Sequence, residues 1–301
     1  MLQIRFWGTR GSIAISSPDK LKLGGNTACI EMRLDNRLVI IDLGSGAYDL
    51  GNYLMANDFK KGPIECDIFV SHTHMDHLYG FPMFAPMFIR KNSFRVHGPR
   101  LPGDSRIGGL LDFLSSYPLW PVHLSKFDAR LSFNSIFETT LDLGHGLKVT
   151  SKLLNHPVIT LGYRFEYQGK TIVTAFDTEP HYNMFADKQD PFYSAGAESE
   201  AQRVVEEENK KFIEFIRGAD VLIHDACYTE AEYHGKEGWG HTTIESAISG
   251  AKEAGGVKKL VLFHHSPSRT DKDMNEIMKR CPSKKSEMEI IAAKEGMLLT
   301  V

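Results

Sequence analysis

Residues 71–77 read Ser-His-Thr-His-Met-Asp-His and follow the apolar run Ile68-Phe69-Val70. Three imidazoles and one carboxylate thus fall within six residues at the end of a predicted strand. Buried without partners, such groups destabilise a fold. In a short loop, His72, His74, Asp76 and His77 can instead fan out around one point. Neutral imidazole binds Zn, Mn or Fe, and a carboxylate adds a hard anionic ligand. A single tetrahedral ion needs only three protein ligands and a water. Four ligands in one loop, with more supplied later in the chain, point to two ions. A solvated polar loop is the plain alternative. It suits a lone histidine better than His-x-His-x-Asp-His behind an apolar strand.

The same arrangement recurs further along. His156 follows a predicted strand at 148–154, Asp177 closes Thr-Ile-Val-Thr-Ala-Phe, and His264 closes Leu-Val-Leu-Phe. A carboxylate at the end of an apolar strand suits a bridge between two cations. His72, His74 and His156 are therefore assigned to one metal, and Asp76, His77 and His264 to the other, with Asp177 bridging. His265 is the alternative to His264, which is preferred. In α/β folds, sites collect at the C-terminal ends of strands.

Strands are predicted at 28–34 and 37–43 around Asp35-Asn36, at 67–71, near 93–97, at 161–167 and 170–176 around Gln168-Gly169, at 221–223 and at 259–263. Two closing strands, 289–292 and 297–301, flank Glu295-Gly296. Helices are predicted at 47–55, near 107–115, up to Arg217 before Gly218, and after His241. Strands feeding loops that feed helices indicate an α/β fold. The expectation is one domain over 1–301, with a variable insertion at about 81–135 and an acidic excursion at about 180–210. Within the insertion, 117–127 reads as an irregular covering loop.

Composition narrows the function classes. Of 301 residues, 42% are hydrophobic and 24% charged, with net charge −3. That balance fits a globular protein rather than a general nucleic-acid or membrane binder. Cys29, Cys66, Cys227 and Cys281 form no Cys-x-x-Cys pair, which suggests reduced, buried thiols. The first residues read as a strand rather than a secretion signal. No run reaches the ~18 apolar residues of a membrane span. The expected location is the cytoplasm.

The ordered set His72-x-His74-x-Asp76-His77, His156, Asp177, His264 resembles the metal motifs of metallo-β-lactamase-fold hydrolases, over residues 1 to about 270. The resemblance implies an αβ/βα sandwich, two β-sheets flanked by helices, with the metals at one edge between the sheets. The phosphodiesterase branch is the most similar: tRNA 3′-processing endonucleases, cyclic-nucleotide phosphodiesterases and phosphoribosyl cyclic phosphodiesterases. Asp177 stands where β-lactamases proper often use cysteine. His224-Asp225-Ala226 resembles the His-Glu-Ala of the tRNA enzymes, with Asp for Glu, and Gly240-His241-Thr242-Thr243 resembles their Gly-His-Ser-Thr. The stretches 6–12 and 24–27 are also similar to this branch.

Thr242-x-x-Glu245 reads as a capping box, which places His241 just before a helix N-terminus, where anions are favoured. His241 is expected to bind a phosphate oxygen or protonate the leaving oxygen, with Asp225 orienting it and raising its pKa. Asp76 joins them as a catalytic candidate by virtue of its ligand role. Asp42, His224 and His265 are expected behind the ligands, and Asn26 and Thr27 are candidates for touching substrate.

These readings converge on hydrolysis of a small cyclic phosphodiester, a cyclic nucleotide or ribosyl cyclic phosphate, by a hydroxide bridging two divalent ions. Zn is preferred, with Mn or Fe as alternatives. RNA 3′-end processing is second, since no basic arm is present and 180–210 is acidic. A lactone or thioester hydrolase is third. A diiron reductase would usually place a carboxylate at His74, and a non-catalytic module would have lost a ligand. A homodimer is what the resemblance implies.

Overall fold

Strand pairing sorts the chain into two seven-stranded sheets among the described residues. The computed structural model describes residues 2–102, 106–281 and 288–301. Met1 and residues 103–105 of the expected insertion lie outside the described residues.

The first sheet runs β14 (Leu298–Thr300), β1 (Leu2–Gly8), β2 (Cys29–Leu34), β3 (Arg37–Ile41), β4 (Glu65–Phe69), β5 (Ser93–Pro99) and β6 (Arg130–Ile136). The second runs β13 (Glu289–Ala292), β12 (Lys259–Phe263), β11 (Val221–Asp225), β10 (Lys170–Ala175), β9 (Thr160–Tyr167), β8 (Lys148–Leu154) and β7 (Thr139–Asp142). Each sheet is antiparallel on one side and parallel on the other. Parallel pairs need crossover connections. In the first sheet α1 (Ala47–Asn57), α2 (Met75–Leu78) and α3 (Ile107–Leu114) lie in them. In the second, α4 (Ala195–Ile216), α5 (Glu230–Tyr233), α6 (Ile244–Ala254) and α7 (Asp271–Arg280) do so.

Side-chain alternation decides which face of each strand goes where. Val39, Ile41 and Phe69 share one core with Ile223, Val261 and Phe263, so the two sheets pack face to face. Leu38, Ile40 and Ile68 point the other way, onto Leu50 and Leu54 of α1. Leu222, Leu260 and Leu262 do the same under Ile244, Ala251 and Ala254 of α6. Strands covered on both faces read as unbroken apolar runs. Their C-terminal ends open along one edge, and the histidine loop leaves β4 there.

The hairpin at Gln168-Gly169 forms as expected: both residues have positive φ, 48° and 74°, the backbone of a two-residue type I′ turn. Three local readings are corrected. Residues 81–135, expected as an insertion, supply β5 and most of β6, strands of the first sheet. Arg130–Ile136 alternates on an exposed edge, which is a weak apolar signal. The two closing strands do not pair with each other: β13 joins β12, and β14 joins β1 in the opposite sheet. The cap of α6 is Thr243, whose hydroxyl accepts from Ser246 N, so the helix starts one residue later than the Thr242 reading. The acidic excursion is irregular to residue 193 and then becomes α4, capped by Ser194.

Among the described residues no helix is long and apolar enough to cross a membrane.

Candidate metal centre

The loop after β4 delivers its side chains through a helix start. His74, with extended backbone (φ −66°, ψ 150°), occupies the position before α2, and Asp76 and His77 lie in its single turn. The remaining groups arrive from strand ends by a shared device. Asp42, Asp177 and His264 follow β3, β10 and β12, and all three have left-handed backbone, with φ of 58°, 41° and 58°. Non-glycine residues pay strain for that conformation, and such strain gathers at functional sites. Here each one ends strand pairing and turns a side chain into the gap between the sheets.

Asp177 sits at the middle. Its Oδ1 lies 3.2 Å from His77 Nε2 and 3.2 Å from His264 Nε2. Its Oδ2 lies 3.3 Å from His72 Nε2 and 3.9 Å from His156 Nε2. His156 Nε2 meets His74 Nδ1 at 3.1 Å, and Asp76 Oδ2 meets His264 Nε2 at 3.2 Å. Two groups result, His72/His74/His156/Asp177 and Asp76/His77/Asp177/His264. Within each, one ligand atom per residue lies within 4.8 Å of all the others. All are buried except His74 and His156, which are partly so.

Charge and hydrogen bonding fit a cation. Burial lowers the pKa of His72 and His74 and drives His156 down to about 3, which keeps these rings neutral with a lone pair to offer. Burial also opposes protonation of His77, but the carboxylates of Asp177, Asp76 and Asp42 outweigh it and raise His77 well above its ordinary value. That reversal marks an excess of negative charge where a metal would lie. His72 Nε2 and Asp177 Oδ1 are sealed from solvent and have no hydrogen-bond partner among the described residues. Buried polar atoms are rarely left so, and a cation between them would satisfy both.

A ring of further contacts aims these candidate ligands. Asp42 Oδ2 lies 2.7 Å from His77 Nδ1 and accepts from Ser71 Oγ at 2.7 Å, while Oδ1 accepts from Ser71 N at 2.7 Å. Ser71 Oγ in turn lies 3.0 Å from His72 Nδ1. His156 Nδ1 donates to the Gly240 carbonyl at 2.8 Å. Two glycines press on ligands: a Cβ on Gly11 would come within 2.2 Å of the His264 ring, and one on Gly240 within 2.0 Å of His156 Nδ1. Asp76 Oδ2 also accepts from Ser12 N at 2.6 Å. Gly11 and Gly240 lie in stretches already noted for their resemblance, but the contacts that they and Ser71 make with these rings were not foreseen. Ser71 had a signal, as the residue joining the apolar run to His72.

His241 faces the same gap. Its Nδ1 bonds Asp225 Oδ2 at 2.8 Å, and its ring stacks on His264 at 4.9 Å between centroids. Asp225 is fixed by Thr178 N at 3.2 Å and Cys227 N at 2.9 Å. Burial works against protonation of His241, but Asp225 outweighs it and the pKa is pushed up to about 9. Cys227, not foreseen, brings its sulfur near His241 and His264. Burial keeps that thiol protonated, which makes it a poor ligand.

Other expected site residues are not brought to the cluster. His224 neighbours Asp225 in β11, so alternation turns it to the opposite face, edge-on to Phe212, with Nδ1 donating to the Asp225 carbonyl. His265 Nε2 donates to the Ala293 carbonyl at 2.9 Å, away from the ligands, whereas His264 turns in. Asn26 and Thr27 spend their polar groups on Ser45 and Asp49. These bonds hold the loop, and among the described residues no hydrogen bond joins either side chain to a candidate ligand.

The sequence profile of the beta-lactamase superfamily domain matches residues 62–265, more than half of the chain. The chain belongs to the metallo-β-lactamase superfamily. It is a metallo-β-lactamase-fold, metal-dependent hydrolase. A ribonuclease Z of Staphylococcus aureus (strain bovine RF122 / ET3-1) is 25% identical over 308 residues, covering 92% of each chain. The fold is shared with YhfI of Bacillus subtilis, TM-score 0.66 at 18% identity, covering 99% of this chain and 98% of that one. A diphosphatase of the PhnP family has TM-score 0.65 at 16% identity, with coverage of 100% and 98%. Human tRNase Z, short form, has TM-score 0.63 at 18% identity, with coverage of 99% and 98%.

Proposed function

We propose that this superfamily member is a two-metal phosphodiesterase acting on a small cyclic phosphodiester, a cyclic nucleotide or a ribosyl cyclic phosphate. The observation that carries the reading is Asp177, whose two carboxylate oxygens face two separate ligand groups. His72, His74 and His156 would hold one divalent ion, and Asp76, His77 and His264 the other, with Asp177 between them. Zn suits this imidazole-rich set best, and Mn or Fe would also be accepted. Such ions supply Lewis acidity and a water that ionises near neutral pH.

The chain's own groups complete the chemistry. Asp225 holds His241 at Nδ1, which leaves Nε2 to deliver a proton to the leaving oxygen. The raised pKa keeps that proton in place at neutral pH. Asp76 acts as a ligand, since its Oδ2 already accepts from Ser12 N. The ribonuclease Z relative supports the phosphodiester class. A small substrate is favoured over RNA because nucleic-acid affinity comes from Lys and Arg on phosphates, whereas this chain is acidic overall.

The test is turnover by protein stripped of metal and reloaded with Zn or Mn. The substrates are bis(p-nitrophenyl) phosphate, cyclic nucleotides, a short RNA with a 3′ extension, and a lactone. Metal-dependent release of p-nitrophenol and opening of a cyclic phosphodiester are expected. Full activity of the stripped protein would defeat the scheme, and faster cleavage of the RNA would transfer the assignment to RNA processing.

A further inference from the structure

A second cavity, of about 320 Å³, adjoins the metal centre on the His156 side. His156 closes one wall, and Asn155, Glu179, Tyr182, Met184 and Gly238 build others. Its volume lies at the lower end for ligand pockets and suits one planar heterocycle. The proposed hydrolysis uses His156 only through Nε2, so this neighbouring space is available to the part of the substrate that does not react.

The walls have a definite chemistry. Tyr182 and Met184 present large side chains that are 46% and 73% exposed. Gly238, with φ 83°, leaves room for the tyrosine: a Cβ there would stand 3.0 Å from the Tyr182 hydroxyl. Glu179 is buried, and its Oε2 accepts from Tyr233 Oη at 2.7 Å and Gly238 N at 3.1 Å. Its Oε1 accepts from no donor among the described residues, yet it is not sealed away. A carboxylate oxygen with free lone pairs beside an exposed aromatic ring suits a flat ligand that carries N–H donors along one edge.

We infer that this cavity takes the nucleobase of the substrate and favours guanine, with Tyr182 stacking on the ring and Glu179 Oε1 accepting from its edge. The inference rests on the phosphodiesterase reading and deepens it by naming the base. Guanine places an imino and an amino N–H side by side. Adenine and cytosine offer one amino group beside a ring-nitrogen acceptor. Uracil flanks its single N–H with two carbonyls that a carboxylate repels. Base–aromatic stacking is tolerant of sequence, so discrimination falls to the carboxylate.

The test compares GMP with UMP, whose shared phosphate cancels, by calorimetric titration of the full-length protein with and without Zn. Release of p-nitrophenol is measured on the same Zn-loaded preparation. GMP is expected to bind at least about tenfold more tightly than UMP in both states. Glu179→Gln is expected to remove the preference, and Tyr182→Ala to weaken GMP and UMP alike by about tenfold. Glu179 also ties down Tyr233 and Gly238, so Glu179→Gln could disturb the loop. Tyr182→Ala leaves those bonds intact and keeps the test independent. Equal affinities for GMP and UMP, a preference that survives Glu179→Gln, or unchanged GMP affinity in Tyr182→Ala overturn the assignment. If p-nitrophenol is released without base preference, the subsite alone fails. If GMP is preferred without p-nitrophenol release, the phosphodiesterase reading fails and the subsite stands.

Discussion

Replacing Asp42 by asparagine changes little in shape and much in hydrogen bonding. The carboxylate accepts three bonds of 2.7 Å, from His77 Nδ1, Ser71 Oγ and Ser71 N. An amide has one acceptor oxygen. Facing Ser71 N, it opposes its own N–H to the His77 N–H; facing His77, it opposes Ser71 N. Either way one buried donor loses its acceptor, and a hydrogen bond to a charged group contributes about 1.5–3 kcal/mol. His77 is then free to carry its proton on Nε2, the atom that must face an ion. Loss of such an orienting partner lowers metal affinity about 10–100-fold, or about 1.4–2.7 kcal/mol. The backbone does not confound the test, because asparagine tolerates the left-handed conformation found at Asp42, φ 58°. The assay is competition for Zn against a chromophoric chelator, with turnover followed against free Zn. One ion should weaken by the stated factor, the other by less, and excess Zn should restore part of the activity. Unchanged affinity for both ions in folded Asp42→Asn protein would refute the claim that Asp42 aims His77.

Three further outcomes are expected. Gly240→Ala puts a Cβ within 2.0 Å of His156 Nδ1 on a residue with φ 78°, so kcat/KM should fall about 100-fold while the circular dichroism spectrum is kept; wild-type turnover would contradict the close approach. His241→Ala should lower kcat about 100-fold for a poor alkoxide leaving group and much less for p-nitrophenolate, with metal content unchanged; equal losses would argue against proton donation. Asp67 is buried and paired with Arg95 at 2.7 Å, Arg37 at 3.0 Å and His97 at 3.2 Å. Burial alone would raise its carboxyl, but His97, Arg95 and Arg37 outweigh that and hold it well below the usual range. A depressed folded pKa means the unfolded chain binds the proton more readily. The stability it contributes is therefore complete above the ordinary carboxylate value, about 3.9, and is lost as pH falls toward the folded value. Asp67→Asn should cost on the order of 2 kcal/mol at pH 7, below the range for a sealed pair because Arg95 and Arg37 reach solvent. It should also flatten the acid dependence of the urea midpoint; an unaltered slope below pH 4 would count against it.

Much of the candidate centre could be read in the chain because its candidate ligands follow apolar runs, and a run that ends in a histidine or carboxylate is a local signal. His72, His74, Asp76 and His77 needed only the strand before them. Long-range packing decided the rest. His264 and His265 are adjacent and chemically identical; the positive φ at His264 and the carbonyl of Ala293 settle which ring faces the gap. His224 and Asp225 belong to one strand, and which of them faces the cluster depends on which side of β11 meets the other sheet. The two closing strands have good strand composition, but composition does not name a partner, and they part to opposite sheets. Gly11 and Gly240 carry no signal of their own, since a glycine reports room for a neighbour only once the neighbour is in place. The sequence by itself therefore determined the candidate ligand types and the strands that present them. Only the tertiary structure decided which atoms converge and what holds them there, because those choices depend on contacts between residues far apart in the chain.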